Sequence, residues 1–478
     1  MKPFIILITL ISFIIGYAMN IEELLPLFAL WLIIYIVYYG RSLCDSNILY
    51  RNWFCPSYIL LFGLLIVCFQ TPLNIFLEKA SFTAYMPVRY ERYLVQCSYL
   101  GLLSVAAYIS GGLVNPNCSI PPSHKKTKYV LWPWLVLLPV MLGLFVININ
   151  IANFLSGSDY IGSGGYNRSA NLSSYFEQLL DVNIIIVTSL ITFRQINKCE
   201  VLSFKKFLGS FPAIYWIVVA VYLILRLLSG DRGPVLYALC LIFYSYLMCT
   251  KHRFKLATVL ILILVAAIAT TLIGITRTGN LDQSFIDRLE SAIQEDNISK
   301  PSILPPTQEL ANSINTEFIA VDAINNSGQS YNYGKYTFYA LISSIPGSSY
   351  ILSNLFDVDM RSTMSSEYIT IYDKGCRYSY GLGTSPMAEF YLEFGAFGCM
   401  LGLFFLGWLF SYVNQVILGN NRNISIYIII FSLKLASVAI YIPRSSVGTC
   451  MAKAFYIVII FWVLNKLFNV FRVKAKSM

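Results

Sequence analysis

Two stretches combine residue types that do chemistry with a spacing that would hold them together. The first is Gly381-Leu382-Gly383-Thr384-Ser385-Pro386-Met387-Ala388-Glu389-Phe390-Tyr391-Leu392-Glu393-Phe394-Gly395. Ser385 reads as a helix cap and Pro386 as the first helical residue, which sets Glu389 and Glu393 one turn apart on one face. A carboxylate so placed either takes a proton as general base or only complements the positive end of the helix, for about 0.3–1 kcal/mol. Gly395, Gly398 and Gly402 project from the other side, where small residues let a neighbouring helix approach. That leaves the carboxylate face to look into an outward cavity. Glu393 is also a candidate partner for Lys434, which sits in the middle of an apolar stretch and needs one.

The second stretch is Ser229-Gly230-Asp231-Arg232-Gly233-Pro234. Proline at a first helical position with glycine before it leaves free N–H groups at a helix start, and these favour an anion such as phosphate. Arg232 adds a planar fork that matches phosphate oxygens. Arg226, Arg277 and Arg444 flank apolar runs at the same depth, so four arginines collect at one level. The plainer reading of each is an anchor at the lipid headgroups. Glu177, Asp181, the pair Glu22-Glu23 and the Asp357-Val358-Asp359 triplet are weaker acidic candidates; the triplet could hold a divalent ion.

These residues need elements to carry them, and the composition says which. Of 478 residues, 57% are hydrophobic and 12% charged, with a mean hydropathy of +0.65. Soluble domains are about 45–50% apolar and 25% charged, so this is an all-α, polytopic membrane helix bundle. A transmembrane barrel would show short alternating stretches instead, and the net charge of +10 is spread over loops rather than gathered for nucleic acid. Apolar runs fall at Phe4 to Ala18, Leu24 to Tyr39, Ser57 to Phe76, Leu94 to Val114, Tyr129 to Ile149, Phe176 to Phe193, Leu208 to Leu228, Val235 to Cys249, Leu256 to Ile275, Phe394 to Val413, Ile424 to Ile442 and Ala452 to Phe468. Twelve spans are expected.

Lysine and arginine set the orientation. With both termini in the cytoplasm, eighteen of the 34 basic residues fall on inner loops, joined there only by Asp45 and Glu200. Both histidines, His124 and His252, then lie inside, which excludes imidazole catalysis on the outer face. The chain divides into spans one to nine (1–275), a long outer connection (276–384) and spans ten to twelve (385–478). That connection is far longer than usual. Within it Leu310, Ile314, Phe318, Val321 and Ile324 recur at helical spacing, which predicts an amphipathic helix lying on the membrane or on the bundle. Of eleven cysteines only Cys376 and Cys450 could face outward, either free or as one disulfide, and no spacing suggests a metal site.

The many-span plan, the Ser-Gly-Asp-Arg-Gly segment, the long late connection and the Gly-x-Gly-x-Ser-x-x-x-Glu-x-Tyr-x-x-Phe-Gly run together resemble the O-antigen polymerase (Wzy) family of membrane glycosyltransferases. The resemblance implies a substrate, undecaprenyl diphosphate carrying a short glycan, on the periplasmic leaflet of the bacterial inner membrane. It implies transfer of the growing chain from its lipid onto a hydroxyl of the incoming unit. Arg232, Arg277 and Arg444, with Arg226 nearby, would then stabilise the leaving diphosphate without a metal or other cofactor. Glu389 would act as base, and Tyr372, Tyr378 and Tyr380 would stack on sugars. Membrane lipids and a chain-length-regulating co-polymerase are the implied partners, with no nucleic acid. An O-antigen ligase and a lipid-linked oligosaccharide flippase are the alternatives. The first is disfavoured by the lack of an outward histidine and the second by the long connection.

Overall fold

A computed structural model describes residues 2–46, 52–114, 129–149, 172–198, 203–229, 231, 233–250, 254–262, 264–265, 302–345, 348–356, 358–359, 363–376, 381–419 and 424–477. The described residues are helical, without a strand. Predominantly apolar runs form α1 (Lys2–Met19), α2 (Leu25–Ser46), α3 (Pro56–Phe76), α4 (Leu94–Leu113), α5 (Trp132–Asn148), α6 (Leu172–Lys198), α7 (Ala213–Leu228) and α8 (Gly233–Cys249). The long connection contributes α9 (Asn315–Asn325), α10 (Lys335–Ser343) and α11 (Ser365–Lys374), with shorter helices Gln308–Ala311 and Ser348–Leu355. After it come α12 (Pro386–Leu418), α13 (Ile426–Val438) and α14 (Val447–Ser477). Among the described residues seven helices are long and apolar enough to cross a membrane, and α5, α7, α8 and α13 are shorter apolar ones. Eleven of the twelve expected runs thus appear as helices; most of Leu256 to Ile275 lies outside the described residues.

Burial sorts these helices. Almost all of α4 is buried, whereas α1 exposes Leu7, Ile11 and Ile15 and α2 exposes Leu27, Leu30, Ile33, Ile34 and Val37. Apolar side chains on an outer surface of this extent are stable against lipid, not water. At the centre α4 crosses α12 so closely that a Cβ added to Gly111 would stand 1.9 Å from the Phe404 carbonyl oxygen, and one added to Gly407 1.9 Å from that of Tyr108. Two glycines facing each other permit this crossing, because any side chain would push the backbones apart. Two serines of α4 are satisfied within the helix, since Ser98 and Ser110 donate to the carbonyls of Leu94 and Ala106 one turn back.

The helix that begins at Pro386 starts as expected, with the Ser385 hydroxyl accepting from the Ala388 N–H at 3.1 Å. It does not run straight. Phe394 (φ −145°) and Gly395 (φ +66°) leave helical geometry. A straight helix would separate Phe390 from Gly398 by about 12 Å of rise, yet a Cβ on Gly398 would stand 2.4 Å from the Phe390 carbonyl oxygen and one on Gly402 2.6 Å from its ring. The first eight residues therefore fold back on the helix that follows. The glycines expected to admit a neighbouring helix instead admit the chain's own Phe390, and Gly395 clears the Tyr331 hydroxyl. The Leu392 and Glu393 carbonyls freed at the break accept from the Asn332 and Tyr333 N–H groups.

The amphipathic helix read from Leu310 to Ile324 is present and lies on the bundle, with Ile314, Phe318 and Val321 buried. Polar contacts fasten it. Asp322 accepts from Arg92, Tyr93 and Tyr372, and Gln308 accepts from Gln70 and Asn74 of α3. Cys376 and Cys450 are free thiols, Cys376 exposed and Cys450 buried.

Candidate active site

The start of α12 brings two acidic candidates, Glu389 and Glu393, into each other's field, while Glu177 and Asp181 sit apart on α6. Glu389 is 1% exposed. One of its oxygens accepts from the Gly448 N–H at 3.0 Å and the other from the Ser365 hydroxyl at 3.1 Å, while Ser446 adds a further side-chain hydrogen bond. Three elements meet on this carboxylate: the start of α12, the start of α11 and the first turn of α14. Their sequence explains the meeting. Ser365 opens α11, and Ser445-Ser446-Val447-Gly448 brings an unpaired helix N-terminus against an acid. Gly448 is required, since a Cβ there would lie 2.8 Å from that of Ala340.

Glu393 does likewise for a second helix. Its oxygens accept from the Thr337 N–H at 2.7 Å and the Thr337 hydroxyl at 2.8 Å, in the first turn of α10. Two expectations are corrected here. The carboxylate face does not look into an open cavity, because α10, α11 and the start of α14 cover it. Nor does Glu393 pair with Lys434: the lysine, 8% exposed, lines a cavity with Asp181, Tyr222, Tyr237 and Ser437 and interacts with Asp181. Its ammonium stands 5.9 Å from the centre of the Tyr237 ring.

Of the expected anion-binding set, two arginines lie within the described residues. Arg226, at the end of α7, is ion-paired with Glu177 at 3.0 Å and with Asp231. Asp231 also accepts from the Gly233 N–H that opens α8, and Tyr222 donates to Glu177. Arg444 reaches Glu309 at 3.2 Å and remains 35% exposed along its side chain. Tyr237 joins the two: it packs edge-on against Tyr441 and lies in the fields of Asp231 and Arg444. Arg232, Arg277 and Tyr380 lie outside the described residues, as do both histidines. Sequence reading missed the pairing of Arg226 with Asp231, and it missed Glu317. The spacing carried a signal for the latter, a carboxyl standing between Ile314, Phe318 and Val321 on one helical stripe.

The fold and this end of it define a multi-pass membrane protein with a polar cluster seated under the helices of one long connection. The chain belongs to the O-antigen polysaccharide polymerase Wzy family, whose model matches residues 1–471. No curated protein and no solved structure matches it. Membership gives an O-antigen polymerase role in polysaccharide synthesis. The activity is a polymerising, glycosyltransferase-type one on lipid-linked oligosaccharide repeat units in the membrane.

Proposed function

We propose that the repeat units are carried by undecaprenyl diphosphate, that polymerisation takes place on the periplasmic face, and that Glu389 is the general base. The observation that carries this reading is the convergence of α11, α12 and α14 on one buried carboxylate, with Arg444 four residues before Gly448. In the reaction an acceptor hydroxyl oxygen bonds to the anomeric carbon of the donor sugar while the bond from that carbon to the diphosphate breaks. The hydroxyl proton passes to Glu389. Charge growing on the leaving diphosphate is met by Arg444, which exchanges Glu309 for phosphate oxygens, together with Arg232 and Arg277. Arg226, buried and held by two acids, positions the start of α8 through Asp231. An acceptor reaches Glu389 when Ser365 yields its place, so α11 is the element that moves; hydrogen bonds to a base commonly rearrange as substrate binds.

The orientation rests on the basic residues of the inner loops. The polar cluster lies where α1 ends and α14 begins, since Tyr391, between Glu389 and Glu393, hydrogen-bonds Tyr17 near the end of α1, and Gly448 at the start of α14 donates to Glu389. Both termini therefore point away from it, toward the cytoplasm in this reading. Alkaline phosphatase, active only outside, is expected to be active when fused after Lys335 and inactive after Lys126. The reverse pattern would overturn the orientation.

Purified protein given undecaprenyl-diphosphate-linked repeat units is expected to produce a ladder of polymers, where a flippase produces none. Arg444→Ala should shorten or abolish the ladder at unchanged protein level. Arg444→Lys should fall between, because it keeps charge but loses the bidentate fork. Wild-type chain lengths from Arg444→Ala would return this arginine to the role of a lipid anchor. A chain-length-regulating co-polymerase is the expected protein partner.

A further inference from the structure

Glu389, Glu393, Asp322 and Asp373 all accept hydrogen bonds. Glu317 does not. It lies on α9 at 0% exposure, and neither of its carboxyl oxygens meets a donor among the described residues. The titratable groups in its field are thiols, one from each bundle helix nearby: Cys68 of α3, Cys97 of α4 and Cys399 of α12. The segment 88–93 and α11 also pack on α9, but their Arg92, Tyr93 and Tyr372 are directed to Asp322, five residues further along. With no cation or donor among the described residues facing it, burial pushes the Glu317 carboxyl up to about 8. At neutral pH the neutral acid is the form that sits there.

The residue beside it touches the site. The Thr316 hydroxyl accepts from the Ser385 N–H at 3.1 Å, and Ser385 is the cap of the helix that carries Glu389. The seat of α9 and the start of α12 are thus joined by one hydrogen bond next to the unpaired carboxyl. An ionised carboxylate cannot remain among thiols and apolar side chains without a donor, and reaching water requires α9 to lift.

We propose that Glu317 is a positioning residue of the polymerisation site: as the neutral acid it lets α9 seat with Thr316 holding Ser385, and on ionisation it unseats α9 and loosens the helix that carries Glu389. This rests on the reading of that helix as the site. The sign follows from linkage. The native carboxyl titrates above its unfolded range, so the seat is fully stable below that ordinary range and weakens as pH rises through about 8.

Two neutral replacements test it. Glu317→Gln keeps the shape, and Glu317→Leu removes the polar atoms should the buried amide impair folding. Amide hydrogen exchange of residues 315–325 and 382–388 is measured on the full-length protein in lipid nanodiscs, wild type against each variant at matched pH from about 6 to about 9.5. In the linked range protection of the wild type should fall by up to about tenfold per pH unit relative to the variants. Polymer laddering should show an alkaline limb in the wild type that both variants shift upward or lose. Coincident exchange profiles would overturn the proposal. So would a diverging exchange profile with an unchanged alkaline limb, because α9 would then move without affecting the site. Absence of any ladder from the wild type marks failure of the function reading instead, and exchange, which needs no substrate, tells the two apart.

Discussion

Glu389→Gln is expected to lower polymerisation by about 10²–10⁴-fold, the usual loss when a general base is removed, while the protein accumulates normally. The amide keeps the size of the carboxylate. Its oxygen can still accept from the Gly448 N–H, and its NH₂ can donate to the Ser365 hydroxyl, which rotates to accept. The junction of α11, α12 and α14 is therefore retained and the proton acceptor is lost. Glu389→Asp should be intermediate, since it withdraws the base by one methylene. Glu393→Gln is the internal control: its partners are the N–H and hydroxyl of Thr337, so it should loosen α10 and leave the chemistry nearly intact. Laddering and membrane protein level are measured together for all three. Normal ladders from a normally expressed Glu389→Gln protein would leave this carboxylate as a tie for the first turn of α14, worth at most a few kcal/mol of local stability.

Gly407→Ala should have the largest effect on folding. The added methyl would need the space of the Tyr108 carbonyl, at 1.9 Å, and backbone cannot rotate out of the way as a side chain does. The crossing of α4 and α12 must widen, and the core on both sides loses contact. Overpacking of this kind costs about 1–3 kcal/mol and occasionally more, enough to remove much of the membrane-inserted protein. Gly111→Ala meets the Phe404 carbonyl at the same distance and should behave alike. Gly143→Ala is the contrast, because nothing among the described residues lies within 4 Å of a Cβ built there and alanine is the better helix former. The measurements are abundance in membranes and the thermal midpoint in detergent. Equal values for Gly407→Ala and Gly143→Ala would show that the two helices have room to spare.

What could be read in advance divides by distance along the chain. Ser385 and Pro386 were legible as a helix start because a cap acts within three residues, and the apolar runs because a span is a local composition. The break at Phe394 and Gly395 was not. Its cause lies elsewhere in the chain, where Tyr331 fills the space a side chain on Gly395 would need and Asn332 and Tyr333 take up the freed carbonyls. The partner of Lys434 was misread for the same reason: a mid-span lysine calls for a carboxylate and Glu393 stood as the candidate, whereas packing of α6 against α13 supplies Asp181. Arginines at span ends were legible as candidates, but not that Arg226 and Arg444 are already occupied by Glu177, Asp231 and Glu309.

The tie between Glu389 and Gly448 also bears on how the protein is made. The two residues are separated by 59 positions, and a ribosome adds about 5–20 residues per second, so the carboxylate waits roughly 3–12 s for its donor. Until then the folded-back segment from Pro386 to Glu393, too short to cross a bilayer, has no reason to stay at its final depth. The polar cluster is consequently among the last parts to assemble. A nascent chain interrupted before Ser446 would be a largely inserted bundle with an acid at its rim held by Ser365 alone, a natural mark by which quality control could distinguish unfinished molecules from finished ones.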